Sequence, residues 1–94
     1  MTNVNQQQLI DLHNRMCMNP ETFSYRWGMS AGEIAAICGV SQSSASHWLS
    51  GRSSRRTPSI AYQRILAVAD FLLTNSDQIQ PLLKRWHQAE ESER

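Results

Sequence analysis

Residues 29–54 have the sequence MSAGEIAAICGVSQSSASHWLSGRSS, which contains two helix starts and two helix stops at close spacing. Ser30 and Glu33 form a Ser-x-x-Glu capping box, which predicts a helix that begins at Ala31. Gly39 should end this helix, because glycine adopts the left-handed conformation without a steric penalty. The first half of the stretch is therefore predicted to be a short, well-capped helix.

A second helix should follow directly after this turn. Ser41 is a favourable N-cap and Gly51 is the natural residue to end the helix, which predicts a helix over residues 42–50. Apolar residues in both helices repeat at the i, i+3, i+4 spacing of a buried stripe. They are Ile34, Ala35 and Cys38 in the first helix and Ala45, Trp48 and Leu49 in the second. Residues 30–51 are therefore predicted to form a helix-turn-helix.

Length and composition set the class of protein. The chain has 94 residues, of which 40% are apolar, so residues 1–94 are expected to form a single domain with one modest core. The sequence has no internal repeat and no strand-like alternation, which predicts an all-α fold of about five helices. It also lacks an apolar run of about 18 residues and a basic-then-apolar leader, so we expect a cytoplasmic protein.

Charge is distributed unevenly along the chain, although the net charge is only +1. Residues 34–69 contain four arginines and no acid, whereas the segments before and after them are each net acidic. The four arginines are Arg52, Arg55, Arg56 and Arg64. A solvated basic loop would not require acids to be absent from the whole span, so the distribution favours an anionic partner. Arg64 is the weakest of the four, because its side chain can instead extend along a helix surface.

Further amphipathic helices are predicted on both sides of the motif. They cover residues 5–17, 20–27, 58–73 and 77–89. Phe23 and Trp27 should point into the motif core. Pro81 should delay the start of the last regular helix, because a proline inside a helix loses a backbone hydrogen bond. Residues 5–17 and 77–89 are also the candidate dimerisation elements.

The helix after the motif is apolar on two neighbouring stripes, one through Ala61, Ile65, Val68 and Leu72. A strip of four residues is expected to face solvent instead. These are Gln63, Ala67, Asp70 and Thr74. A helix this apolar is either the centre of the core or is buried on a second side by another subunit.

No pattern of catalytic or metal-binding residues rises above background. His13, His47 and His87 lie on three different segments, and no Cys-x-x-Cys or His-x-x-x-His pair is present. Cys17 and Cys38 both fall at apolar helical positions, so we expect reduced core cysteines. The sequence therefore predicts a binding protein that is not an enzyme and has no cofactor or metal.

A family resemblance adds to these observations. The segment GEIAAICGVSQSSASHWLSGR resembles the helix-turn-helix of the phage-repressor-like (Cro-type) DNA-binding proteins. Four positions recur in that family: an alanine near the middle of the first helix, a glycine in the turn, an apolar residue after it, and a buried Trp or Ile late in the second helix. The matching residues here are Ala35, Gly39, Val40 and Trp48. The resemblance covers about residues 23–73. The chain departs from the family at Ala31, where many members have a phosphate-binding Gln, and at Ala45, where a β-branched residue is usual.

The resemblance implies that the helix over residues 42–50 lies in the major groove of DNA. Its expected base contacts are Gln42, Ser43, Ser46 and His47. The expected phosphate contacts are Ser41, Ser50, Arg52, Arg55 and Arg56. Glutamine can pair with adenine and histidine can donate to guanine, so these residue types suit base recognition. Because one such helix covers only a few base pairs, we expect a homodimer on a pseudo-palindromic site.

Together these features predict a sequence-specific, double-stranded DNA-binding transcriptional regulator of the repressor type, encoded by a prokaryote or a phage. The alternative is a protein–protein interaction adaptor that keeps the helix-turn-helix as a scaffold and binds a protein partner through its apolar terminal helices. The near-neutral net charge and the two acidic ends of the chain favour this alternative.

Overall fold

The computed structural model describes residues 5–50 and 57–92. Within these ranges the chain forms six α-helices and no strand, which confirms the all-α prediction. The helices are α1 (Gln6–Arg15), α2 (Pro20–Trp27), α3 (Ala31–Cys38), α4 (Gln42–Leu49), α5 (Ile60–Thr74) and α6 (Ser76–Ser92).

The hydrophobic core lies between α2, α3, α4 and one face of α5. Phe23, Ile34 and Leu66 are fully buried, and each comes from a different helix. The two motif helices are closely packed, and Ala35 and Ala45 in them are 4% and 0% exposed. Small residues therefore allow α3 and α4 to pack closely.

The capping box and the turn of the motif form as expected. The backbone N–H of Glu33 donates to Ser30 Oγ at 3.3 Å, and the N–H of Ser30 donates to Glu33 Oε1 at 3.1 Å. Gly39 ends α3 with φ at 71°. The N–H groups of Gly39 and Val40 both donate to the carbonyl of Ala35, at 2.8 and 3.1 Å. These local bonds fix where α3 ends and where the chain turns towards α4.

Two helix ends differ from the prediction. Helix α4 ends at Leu49, because Ser50 is extended with φ −67° and ψ 131°; the predicted stop at Gly51 lies outside the described residues. Helix α1 ends at Arg15 instead of residue 17, because the extended Met16 turns the chain.

The two cysteines have different environments. Cys17 is exposed and its Sγ donates to Gln63 Oε1 at 3.0 Å, so the prediction that it is a core residue is wrong. Cys38 is buried as predicted, and both thiols are free. Burial raises the pKa of the Cys38 thiol, which keeps that group protonated at neutral pH.

Helix α5 packs on the core through residues that the sequence predicted to face solvent. Ala67 is buried, and Asp70 accepts a hydrogen bond from Trp27 Nε1 at 3.0 Å and forms an ion pair with Arg26 Nε at 3.3 Å. The predicted solvent strip was therefore wrong at these positions, because α2 covers it. The helix also begins at Ile60 and not at Pro58, since Ser59 is extended with ψ at 162°.

Helix α6 begins earlier than the sequence predicts. The carbonyl of Asn75 accepts from the N–H groups of Gln78 and Ile79, both at 3.0 Å, and so starts the helix directly after α5. Pro81 lies inside α6, where it removes one intrahelical donor without ending the helix. The helix also continues past the predicted end at residue 89 to Ser92.

Candidate nucleic-acid interface

Helix α4 is held firmly on one face. Ala45 is fully buried and Trp48 is 7% exposed, so the side of α4 that faces α3 and α2 is part of the core. Ser41 caps the helix, because its Oγ accepts from the N–H of Ser44 at 3.1 Å. The opposite face of α4 is therefore presented in a fixed orientation.

That opposite face carries the polar residues predicted to contact bases. Gln42, Ser43 and Ser46 are exposed, and His47 is partly buried. Glutamine and serine can each donate and accept hydrogen bonds, so this surface can match several base edges. The four predicted base-contact residues thus share one short helix, about 12 Å long at the α-helical rise.

Gln42 has a position that no sequence pattern indicated. A Cβ atom placed at Gly32 would lie 3.7 Å from both Cδ and Oε1 of Gln42, so this side chain lies over the first turn of α3. A β-carbon there would still be at an ordinary van der Waals distance. Helix α3 therefore limits the directions in which the Gln42 amide can point.

The predicted phosphate contacts are only partly within the described structure. Ser41 and Ser50 flank α4 at its two ends, whereas Arg52, Arg55 and Arg56 lie outside the described residues. Arg64 is on α5 and its Nη2 donates to Asn14 Oδ1 of α1 at 3.5 Å. That contact directs Arg64 towards α1.

A cleft of about 270 Å³ runs between α4 and the start of α5. The rings of Trp48 and Tyr62 pack there, with centroids 5.3 Å apart. Ser44, His47 and Ser59 supply polar groups at the same cleft. No sequence pattern indicated Ser59 or Tyr62, because only the packing of α5 beside α4 brings them to this cleft. Hydroxyl groups of this kind suit contact with a sugar–phosphate strand.

Acidic residues are absent from α4 and from most of α3. Glu33 is the nearest acid in sequence, and its carboxylate is engaged by the N–H and Oγ of Ser30. The positive end of the α4 dipole also lies at the end that carries Gln42 and Ser43.

Possible metal ligands are dispersed over the described helices. No group of three or more His, Cys, Asp and Glu side chains is arranged there to hold a metal ion. His13, His47 and His87 lie on α1, α4 and α6. None of the described helices combines the length and apolar character needed to cross a membrane.

Comparisons with protein-family models, with curated proteins and with solved structures found no match to this chain.

Proposed function

We propose that this protein is a sequence-specific, double-stranded DNA-binding transcriptional regulator of the repressor type, acting in a prokaryotic or phage-infected cytoplasm. The observation that carries the proposal is the asymmetry of α4. One face is fixed in the core by Ala45 and Trp48, and the other presents Gln42, Ser43 and Ser46 to solvent. The major groove, about 12 Å wide, admits a helix of this kind.

Each polar residue of α4 has a distinct proposed role. The Gln42 amide pairs with N6 and N7 of an adenine, since it can donate and accept at the same time. His47 donates to a guanine acceptor, and Ser43 and Ser46 contact bases through their hydroxyl groups. The orientation of Gln42 over Gly32 supports its role, because a side chain with restricted motion loses less entropy on binding.

Affinity is proposed to come from the ends of the recognition helix. Ser41 and Ser50 flank α4, and three arginines that follow in sequence supply positive charge for phosphates. They are Arg52, Arg55 and Arg56. Phosphate contacts of this kind position the protein without selecting sequence, and they make binding depend on salt.

The test uses the full chain and a duplex recovered by selection from random DNA, with fluorescence anisotropy across a salt titration. The Arg55→Ala, Arg56→Ala double variant should lower the slope of log K against log salt by roughly 2, because two phosphate contacts are lost. Arg15→Ala removes one positive charge from α1, where Arg15 Nε donates to the carbonyl of Asp11 at 3.2 Å, and should leave the slope unchanged. An unchanged slope in the double variant would contradict the phosphate role.

A second pair of variants tests base recognition. Gln42→Ala should weaken binding to the selected duplex by about 1–3 kcal/mol and relax specificity at one base pair. Gln7→Ala is the matched control, because Gln7 is an exposed glutamine on α1 whose amide donates to Asp11 Oδ1 at 2.9 Å. Equal effects of the two variants would show that Gln42 does not contact a base.

A protein-interaction adaptor is the second candidate function. It is favoured by the large apolar side chains that α1, α5 and α6 expose. Stable binding to a protein of another sequence, with no affinity for any duplex in a random library, would select the adaptor and exclude the DNA-binding regulator.

A further inference from the structure

Arg64 on α5 carries a positive charge that no acid compensates within residues 5–50 and 57–92. In this part of the chain its guanidinium makes one hydrogen bond, from Nη2 to Asn14 Oδ1 at 3.5 Å. Its Nε is buried and has no hydrogen-bond partner there. A guanidinium can donate five hydrogen bonds, so most of the donor capacity of Arg64 is not used by the described residues. Arg64 is therefore a partly desolvated cation without an anion beside it.

The acids of the two helices around Arg64 have other partners. Helices α1 and α5 contain one acid each, Asp11 and Asp70. Asp11 Oδ1 accepts from Gln7 Nε2 at 2.9 Å, along α1 itself. Asp70 Oδ1 accepts from Trp27 Nε1 and forms the ion pair with Arg26. Neither acid is placed to neutralise Arg64.

Arg64 belongs to the wall of a groove between α1 and α5. The groove has a volume of about 400 Å³ and is lined by His13 from α1 and by Ala61, Arg64, Ile65 and Val68 from α5. Ala61, Ile65 and Val68 follow one another at i, i+4, i+7 spacing, so they form an apolar stripe about 10 Å long. Arg64 lies at the edge of this stripe, and the imidazole of His13 supplies a further N–H. The groove thus combines an apolar wall with basic groups.

Three contacts hold α1 beside α5 at this groove. The N–H of Met18 donates to the carbonyl of Gln63 at 3.1 Å, and Cys17 Sγ donates to Gln63 Oε1 at 3.0 Å. The third is the bond between Arg64 and Asn14. All three involve Gln63 or its neighbour in the chain, so the last turn of α1, which contains His13, is kept next to the middle of α5.

The chemistry of the groove selects one class of ligand. A carboxylate matches the planar fork of a guanidinium, and the attraction is stronger where the cation is partly desolvated. An inorganic anion would leave the apolar stripe in water, and a neutral apolar molecule would leave Arg64 uncompensated. Small-molecule sites measure about 300–1,000 Å³, so a volume of about 400 Å³ suits a compact ligand.

We infer that the groove between α1 and α5 binds a small organic acid. Its carboxylate accepts hydrogen bonds from Arg64, and its apolar body covers Ala61, Ile65 and Val68. The site is formed by α1 and α5, whereas the residues proposed to contact bases lie on α4. The organic-acid site and the proposed function can therefore be tested separately.

A two-dimensional ¹⁵N–¹H NMR titration of the full chain with naphthoate tests the inference. This ligand has about a dozen non-hydrogen atoms, for which an ordinary ligand efficiency gives a dissociation constant of about 1 mM. Saturable shifts should be concentrated at the amides of α5 around residues 61–68 and at the last turn of α1. Naphthamide has the same rings without the charge, and acetate has the charge without the rings. Each should bind at least about 10-fold more weakly than naphthoate.

Substitution of Arg64 separates its charge from its structural role. Arg64→Gln should weaken naphthoate binding about 10-fold or more, because a charge-assisted pair is lost, and should leave naphthamide binding unchanged. Arg15→Gln is the matched control, since it removes one positive charge from α1, where Arg15 Nε donates to the Asp11 carbonyl at 3.2 Å. Its affinity for naphthoate should equal that of the wild type.

Three results would overturn the inference. They are the absence of saturable shifts at about ten times the expected dissociation constant, equal binding of naphthoate and naphthamide by the wild type, and unchanged naphthoate affinity in a folded Arg64→Gln variant. The comparison of the two ligands uses only the wild type, so it decides the matter even if Arg64→Gln does not fold. Binding of naphthoate by a chain that selects no duplex would retain the organic-acid site and refute the proposed function.

Discussion

Two glycines of the motif should respond in opposite directions to the same added methyl group. Gly39 ends α3 with φ at +71°, and an added Cβ would have no atom within 4 Å. Gly39→Ala should therefore lower the free energy of unfolding through backbone conformation alone, by about 1–2 kcal/mol for an L-residue in the left-handed region. Gly32 lies inside α3, where a Cβ would meet Gln42 atoms at 3.7 Å, an ordinary contact. Gly32→Ala should stabilise the protein by about 0.4–1 kcal/mol, because it lowers the entropy of the unfolded chain.

Urea unfolding followed by far-UV circular dichroism measures both effects at one protein concentration. The two variants should differ by about 1.5–3 kcal/mol, with wild type between them and with equal m-values. Gly39→Asn should recover part of the loss, since asparagine enters the left-handed region more readily. If both alanine variants were neutral, or if Gly39→Ala were the more stable of the two, the described turn between α3 and α4 would be wrong.

Four further substitutions test the packing around the motif. Asp70→Ala should lower the free energy of unfolding by about 2 kcal/mol, because Trp27 Nε1 loses a charged acceptor at 3.0 Å. Arg26→Ala should lower it by less than about 1 kcal/mol, since the Arg26 side chain is 50% exposed. Calorimetry measures both effects. Ala45→Leu should destabilise the fold by about 1–3 kcal/mol or more, because Ala45 is 0% exposed in the α3–α4 core; a neutral result in urea unfolding would refute close packing there. Because the pKa of Cys38 is raised, the native state holds the thiol proton more tightly than the unfolded chain does. The free energy of unfolding should therefore fall as the pH rises above 9.0, the ordinary pKa of the thiol. Cys38→Ala should remove that part of the decline.

Local features of the motif could be predicted from sequence because they depend on neighbouring residues. The bonds between Ser30 and Glu33 and the left-handed Gly39 need only a few residues of chain, and both form as predicted. The exposure of Gln42 and Ser46 also follows from helical periodicity once Ala45 is assigned to the core.

Features that depend on distant residues could not be predicted in the same way. Periodicity indicated two neighbouring apolar stripes on α5, but it placed Ala67 on the strip facing solvent and could not show that this residue is buried in the fold. The hydrogen bond from Trp27 to Asp70 joins residues 43 positions apart, and no local pattern identifies it. The position of Tyr62 beside Trp48 of α4 has the same origin, since α5 packs against α4 only in the folded chain.

Selection of bound duplexes from a random DNA library, with the full chain at low salt, tests the role of α4 most directly. The proposed function predicts enrichment of a pseudo-palindrome with half-sites about one helical turn apart, read by two copies of the helix. Selection with Gln42→Ala should return the same spacing with one base-pair preference lost in each half-site, because only the contact of that side chain is removed. A library that shows no enrichment with the folded wild-type protein would contradict the assignment of α4 as a DNA-recognition helix.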